Sequence, residues 1–268
     1  MIPRTIAQAI YNDGGLQARS DDFDEMWQSE VQRIIDGFAL PAGVSAPDSL
    51  FAVPFARRHV AVVSVAGRRF RVLVLPRVLY NVIPDPFAIA DRFPPQWETS
   101  RSLPTLEWPE EPLPHRTIAQ LDAIFKQGDG PFLLGACQTV VDGGRIMLQR
   151  AEPDPKLVRE LWNLLPDSTR RQTWPATFAY SNALNFGLVV LPAIPEGDLR
   201  GYLTEDQARD YPESRYEREL QVAVEHNDQR TVDRLFARRS SAETLRLAIW
   251  IVIGAAVLSI ASKIIMAW

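Results

Sequence analysis

Residues able to do acid–base, nucleophilic or metal chemistry are sparse in this chain of 268 residues, which has three histidines and one cysteine. His59 starts a strand-like run, His115 lies in a proline-rich stretch and His226 in a charged helical one. A zinc site needs Cys and His ligands at set spacings, and neither HExxH nor CxxC occurs. A nucleophilic Cys137 needs a base such as His115 to hold its thiolate. Its flanks, LLGAC and QTVV, are those of a buried strand, so it reads as core. The acidic run Asp21, Asp22, Asp24 and Glu25 could hold a cation, but it precedes an amphipathic stretch and reads first as a helix cap and dipole partner. Asp142 sits beside Gly143 and Gly144, where a hairpin turn is preferred over a catalytic carboxylate. Arg57, Arg58, Arg68, Arg69, Arg71 and Arg77 offer an anion patch, and solvated strand ends are the preferred reading. No phosphate loop, dinucleotide glycine fingerprint or GxSxG elbow occurs. The sequence therefore assigns no catalytic, cofactor or metal site, and the expected function leans away from an enzyme.

Composition sets the partners. A formal net charge of -4 and a pI near 5.5 weigh against nucleic acid. One cysteine excludes an intrachain disulfide and fits a reducing compartment.

Hydrophobic periodicity gives the elements that would position these groups. A strand is expected over 5–11, closed by Asn12-Asp13-Gly14-Gly15, and then a helix over 23–38, where apolar residues recur every three or four positions. Strands at 59–66 and 69–75 form a hairpin around Gly67, with Phe70, Val72 and Val74 on one face. A helix over 117–127, a hairpin centred on 142–144, a helix from Pro155 to Pro166 and strands at 173–180 and 186–191 follow. Charged helical sequence, broken at Asn227-Asp228, fills 204–239 as a stalk. The expected fold class is α+β: mixed domains with antiparallel hairpins, a helical stalk and a single C-terminal transmembrane helix. The boundaries are 1–82, a first α+β unit; 83–116, a proline-rich connection; 117–200, a second α+β unit; 201–244, the stalk; and 245–268, the anchor.

The tail LAIWIVIGAAVLSIASKIIMAW would span about 33 Å as a helix, close to a bilayer core of about 30 Å. Its anchor residues are Trp250, Gly254, Ala255, Ser259, Ser262, Lys263 and Trp268. The tryptophans suit the two interfaces, and the small residues would let a second helix approach closely in a homo-oligomer, although the composition of a plain single span is the preferred reading. Arg234, Arg238, Arg239 and Arg246 precede the span. The positive-inside bias therefore expects the main domain in the cytoplasm, the tail in the inner membrane as a single pass, and the C-terminus outside.

Three stretches, IAQAIYNDGGLQARSDDF, LLGACQTVVDGGRIMLQR and LWNLLPDSTRRQTWPATFAYSN, resemble the N-terminal domain of bacterial GTPase-associated proteins. The likeness covers roughly residues 5 to 192 and is carried by Tyr11, Gly14, Gly15, Trp162, Pro166, Arg170, Arg171 and Phe178. It implies a cytosolic module working with GTPases or adaptors in conflict or signalling systems, with no catalytic centre to transfer. The leading expectation is thus a tail-anchored, non-enzymatic scaffold or sensor domain whose partners are the lipid bilayer and a protein such as a GTPase or adaptor. The alternatives are a membrane-proximal enzyme and a membrane-damaging effector whose tail oligomerises.

Overall fold

The computed structural model describes residues 2–97, 102–111, 113–195 and 201–237. Its first half is built on long strands, antiparallel to one another where they pair: β1 (Thr5–Asn12), β2 (Gly15–Ser20), β3 (Ala46–Phe55), β4 (His59–Gly67) and β5 (Arg69–Pro76). Short strands β6 (Ser102–Leu103) and β7 (Leu106–Glu107) edge β2 and β1. The second half adds β8 (Arg145–Gln149), β9 (Pro175–Ala176), β10 (Leu188–Leu191) and β11 (Tyr202–Leu203), all mutually parallel. The order is β11-β8-β10-β9-β3-β4-β5-β1-β2-β6, with β7 on β1: one eleven-stranded mixed sheet among the described residues.

Helices cover both faces, which is why Val60, Ala61, Val62 and Val63 are buried in succession rather than alternately. On one face lies α1 (Gln28–Phe38), whose Val31, Ile34 and Phe38 pack on Phe51, Val72, Val189 and other residues from both halves of the sheet. Behind the antiparallel half lie α2 (Arg77–Tyr80) and α3 (Pro86–Arg92), with Leu79, Tyr80, Ile89 and Trp108 on Leu73 and Leu75. Behind the parallel half lie α4 (Ile118–Gln127), α5 (Gly130–Val141), α6 (Pro155–Leu164), α7 (Asp167–Arg170), α8 (Glu205–Arg209), α9 (Arg215–Glu225) and α10 (Gln229–Phe236).

This architecture corrects the expected fold class. It is a mixed α/β arrangement, and strands from 5–76 and 145–203 share one sheet. The run before Asp142 is helix α5, not a strand of a hairpin; Asp129 caps it by accepting from Phe132 N, and Pro131 sits in its first turn. It is apolar on nearly every side because sheet, α6, α8 and α9 surround it, and that erases the 3.6-residue signature. The expected stalk is folded onto the body: Tyr216, Leu220, Ala223, Val232, Leu235 and Phe236 are buried in the same core as α5. The proline-rich stretch donates Phe87 and Trp108 to the interior. The expected single-pass, tail-anchored architecture is corrected as well: no helix of the described residues is long and apolar enough to cross a membrane. The tail over 245–268 lies outside the described residues.

Candidate functional site

Two prolines determine where the sheet opens. Strands β3 and β9 meet at Phe51 and Ala176, where Thr177 N donates to Leu50 O at 2.9 Å and Leu50 N to Thr177 Oγ1 at 2.8 Å. Past that point Pro54 and Pro175 have no N–H to give, so the ladder stops and the strands part. The result is a cleft of about 690 Å³ at the junction of the antiparallel and parallel halves, between α1 and the C-terminal end of α5. Its size is that of a small-molecule site.

The walls are closely packed. A Cβ at Gly187 would meet Thr173 Cγ2 at 2.7 Å, one at Gly144 would meet Thr139 Cγ2 at 2.7 Å, and one at Gly37 would meet Leu184 at 2.6 Å. The loop before β10 is tied down by Ser181 Oγ donating to Gly37 O at 2.9 Å and Phe186 N to Asn182 Oδ1 at 3.0 Å. Into this space come Arg33, Arg145, Gln172, Thr173, Trp174 and Asn185. Arg33 is held by Glu30 (2.6 and 3.2 Å), and that hydrogen bond raises its pKa. Arg145 Nη1 donates to Tyr202 OH at 3.2 Å, and that hydroxyl donates to Phe186 O at 2.7 Å. Trp174 packs 5.6 Å from the Tyr80 ring, with the Arg77 guanidinium 5.4 Å from its centroid. Asp142 follows the last residue of α5, where it accepts from Tyr211 OH at 3.2 Å. Burial, and then this carboxylate, raises the Tyr211 pKa.

Residues singled out from sequence scatter. Cys137 is fully buried on α5; its thiol donates to Leu164 O at 3.4 Å, and burial pushes its pKa up, so it is an inert core group. His59 begins β4 against Trp27, its pKa lowered by burial; His226 follows α9, and His115 is in the loop before α4. Among the described residues no cluster of His, Cys, Asp and Glu could hold a metal. Asp24 caps the turn before α1 by accepting from Met26 N at 2.9 Å. Of the arginine group, Arg71 is buried under the sheet, donating to Gln8 Oε1 at 2.7 and 3.1 Å, and burial lowers its pKa to about 10. Arg68 pairs with Asp13 at one end of the sheet, while Arg58 and Arg77 lie at the other. Of the juxtamembrane set, Arg234 sits exposed on α10; Arg238, Arg239, Arg246 and the anchor residues Trp250, Gly254, Ala255, Ser259, Ser262, Lys263 and Trp268 lie outside the described residues.

The residues of the family resemblance do not form one site. Tyr11 is buried on β1, where loss of solvent raises its hydroxyl to about 12; Gly14 and Gly15 make the β1–β2 turn; Phe178 is core. Trp162, Pro166 and Arg170 build an interior joint: Trp162 Nε1 donates to Pro84 O at 3.2 Å, and Arg170 lies 5.4 Å from the Trp162 ring and pairs with Asp85 at 2.5 Å. Arg171 alone of this set reaches the cleft end, donating to Asn81 O at 2.7 Å. No family model, curated protein or solved structure matches the chain.

Sequence reasoning missed Arg33, Arg145, Trp174 and Asn185 as neighbours. They come from four separate segments, which the β8–β10–β9 pairing and the packing of α1 on the sheet bring together. The available signal was Pro54 inside an otherwise strand-like run and Pro175 inside another.

Proposed function

We propose that the chain is a non-enzymatic recognition domain, a scaffold or sensor, whose ligand site is the cleft at the sheet junction. The observation that carries this reading is the cleft's chemistry. Guanidinium, amide and hydroxyl groups surround a space of small-molecule size, and packed glycines hold its walls before any ligand arrives. Such groups orient and hold a ligand. The one thiol lies in the α5 core, away from solvent, which also suits a reducing compartment. A protein partner, a GTPase or adaptor by the resemblance, would then read the liganded state.

The test is a thermal-shift and NMR screen of the full chain against a metabolite library, with Thr173→Tyr as a variant that fills the cleft. Ligands that stabilise the wild type, leave the variant unmoved and are recovered unchanged support the reading. Cleft-dependent conversion of a ligand to product overturns it in favour of an enzyme; a screen in which no ligand acts through the cleft overturns it outright.

A further inference from the structure

Strand direction places five arginines at one end of the sheet. The carboxyl ends of β3 and β5 and the amino ends of β4, β8, β9 and β10 lie together, because β3–β4, β4–β5 and β3–β9 are antiparallel and β8–β10–β9 are parallel. That end carries Arg57 and Arg58 in the β3–β4 turn, Arg77 after β5, Arg171 before β9 and Arg145 at the start of β8. It is also the end at which the cleft opens, since Trp174, Gly187 and Gly144 line it. The backbone N of Arg77 donates to Arg58 O at 2.8 Å, and its guanidinium covers Trp174, so the β3–β4 turn and the cleft mouth are continuous.

Ion pairing is sparse at this end. Elsewhere many arginines meet carboxylates: Arg68 pairs with Asp13, Arg150 with Glu205, Arg159 with Asp91 and Arg209 with Asp129, while others such as Arg69 and Arg71 meet carbonyls or an amide. Among the described residues Arg57, Arg58, Arg77, Arg145 and Arg171 have no carboxylate partner; Arg77 and Arg145 lie against rings, Arg145 also donates to Tyr202 OH, and Arg171 donates to Asn81 O. This concentration of unpaired positive charge stands out on a chain of net charge -4. The carboxylates at the cleft are Glu30, already held by Arg33, and Asp142, which receives the Tyr211 hydroxyl.

We infer that the cleft takes a phosphorylated small molecule with a hydroxyl-bearing body, its phosphoryl group at the arginine mouth. The inference deepens the recognition reading and rests on it. Guanidinium groups bind phosphoryl oxygens through paired, charge-assisted hydrogen bonds. Thr173 and Asn185 supply partners for hydroxyls on the body, and the exposed Asp142, at the negative end of α5, accepts from a further ligand hydroxyl. The compact cleft, of about 690 Å³, favours such a small ligand over an extended acidic chain, which would need a long groove.

Calorimetric titration of the full chain at low salt with inorganic tripolyphosphate, glucose 6-phosphate and glucose tests this, with Arg58→Glu, Arg145→Glu and the exposed, distant Arg230→Glu. The expected result is one site shared by the two phosphates, no heat with glucose, a loss of about tenfold in affinity from each cleft-end variant and none from Arg230→Glu. Equal weakening by Arg230→Glu means diffuse counterion binding and overturns the inference. Tighter binding of polyglutamate or of a single-stranded oligonucleotide overturns it in favour of a macromolecular anion. Silence toward both phosphates, with uncharged library ligands still acting through the cleft, overturns it while leaving the recognition reading standing.

Discussion

At the scale of single residues, the interior holds charges whose worth depends on their partners. Arg170 is 4% exposed as a side chain and pairs with Asp85, which also accepts from Phe87 N and Ala88 N as the cap of α3. Arg170→Met leaves Asp85 among buried groups without its cation, so a loss of about 3–5 kcal/mol is expected by urea denaturation. Arg170→Met with Asp85→Asn removes both charges, and recovery of part of that loss would show that the unpaired carboxylate is the cause. Glu217 behaves in the opposite sense. Burial holds its carboxyl above the ordinary glutamate value, so its folded form favours the proton. Its contribution is fully present below the unfolded pKa and is lost as pH rises through the folded one. Glu217→Gln keeps an acceptor for Ser214 N and has no charge to desolvate. The variant should melt higher than wild type at pH 7, with the gain vanishing on the acid side of the usual glutamate range. An unchanged difference across that range would assign the effect to packing. Neither role was legible from the sequence, because Arg170 and Asp85 are 85 positions apart and Glu217 sits amid a run of exposed charges.

At the scale of elements, caps and turns were readable and environment was not. Thr117 starts α4 with a reciprocal cap to Gln120, Asp154-Pro155 starts α6, and Asn227, at φ 54°, breaks α9 from α10, all from signals that act within four residues. The hairpin β4–β5 was legible because its two faces meet different cores, Phe70, Val72 and Val74 on one side and Leu73 and Leu75 on the other. Helix α5 was misread because a helix buried all round shows no polar face. Its seat against α8 is a close backbone approach: a Cβ at Gly135 would lie 2.0 Å from Ala208 O. The carbonyl belongs to the main chain and cannot rotate aside, so Gly135→Ala should separate the two helices and cost about 1–3 kcal/mol or more. Hydrogen exchange should localise the damage to α8 and the start of α9. Protection unchanged there would show that α8 shifts without cost.

At the scale of the whole molecule, the sequence split the chain at its proline-rich stretch, while the structure runs one sheet through both sides of it. The backbone link is thin, a single β3–β9 bridge, because Pro54 and Pro175 stop the ladder at the cleft. Side chains carry most of the connection. Phe38 stacks on Phe51 at 5.6 Å, Phe51 meets Phe186 edge-on at 5.6 Å, and Phe38 packs 5.7 Å from Tyr180, so one aromatic cluster belongs to both halves. Arg116 fastens α10 in the same manner: it donates to Leu165 O at 2.6 Å and Asn163 O at 3.0 Å, and its guanidinium lies 3.6 Å from the Phe236 ring. Long-range contacts of this kind are invisible to periodicity, which reads a dozen residues at a time. They make cooperativity the expected behaviour. The single thiol, Cys137, reports on the parallel half, and Trp27, packed 5.6 Å from Phe55, reports on the antiparallel half. Thiol labelling of the urea-unfolding series should share one midpoint with tryptophan fluorescence of a chain retaining Trp27 as its reporter. If the thiol becomes reactive at lower urea while Trp27 stays packed, the parallel half unfolds alone, and the aromatic cluster does not bind the two halves into one cooperative unit.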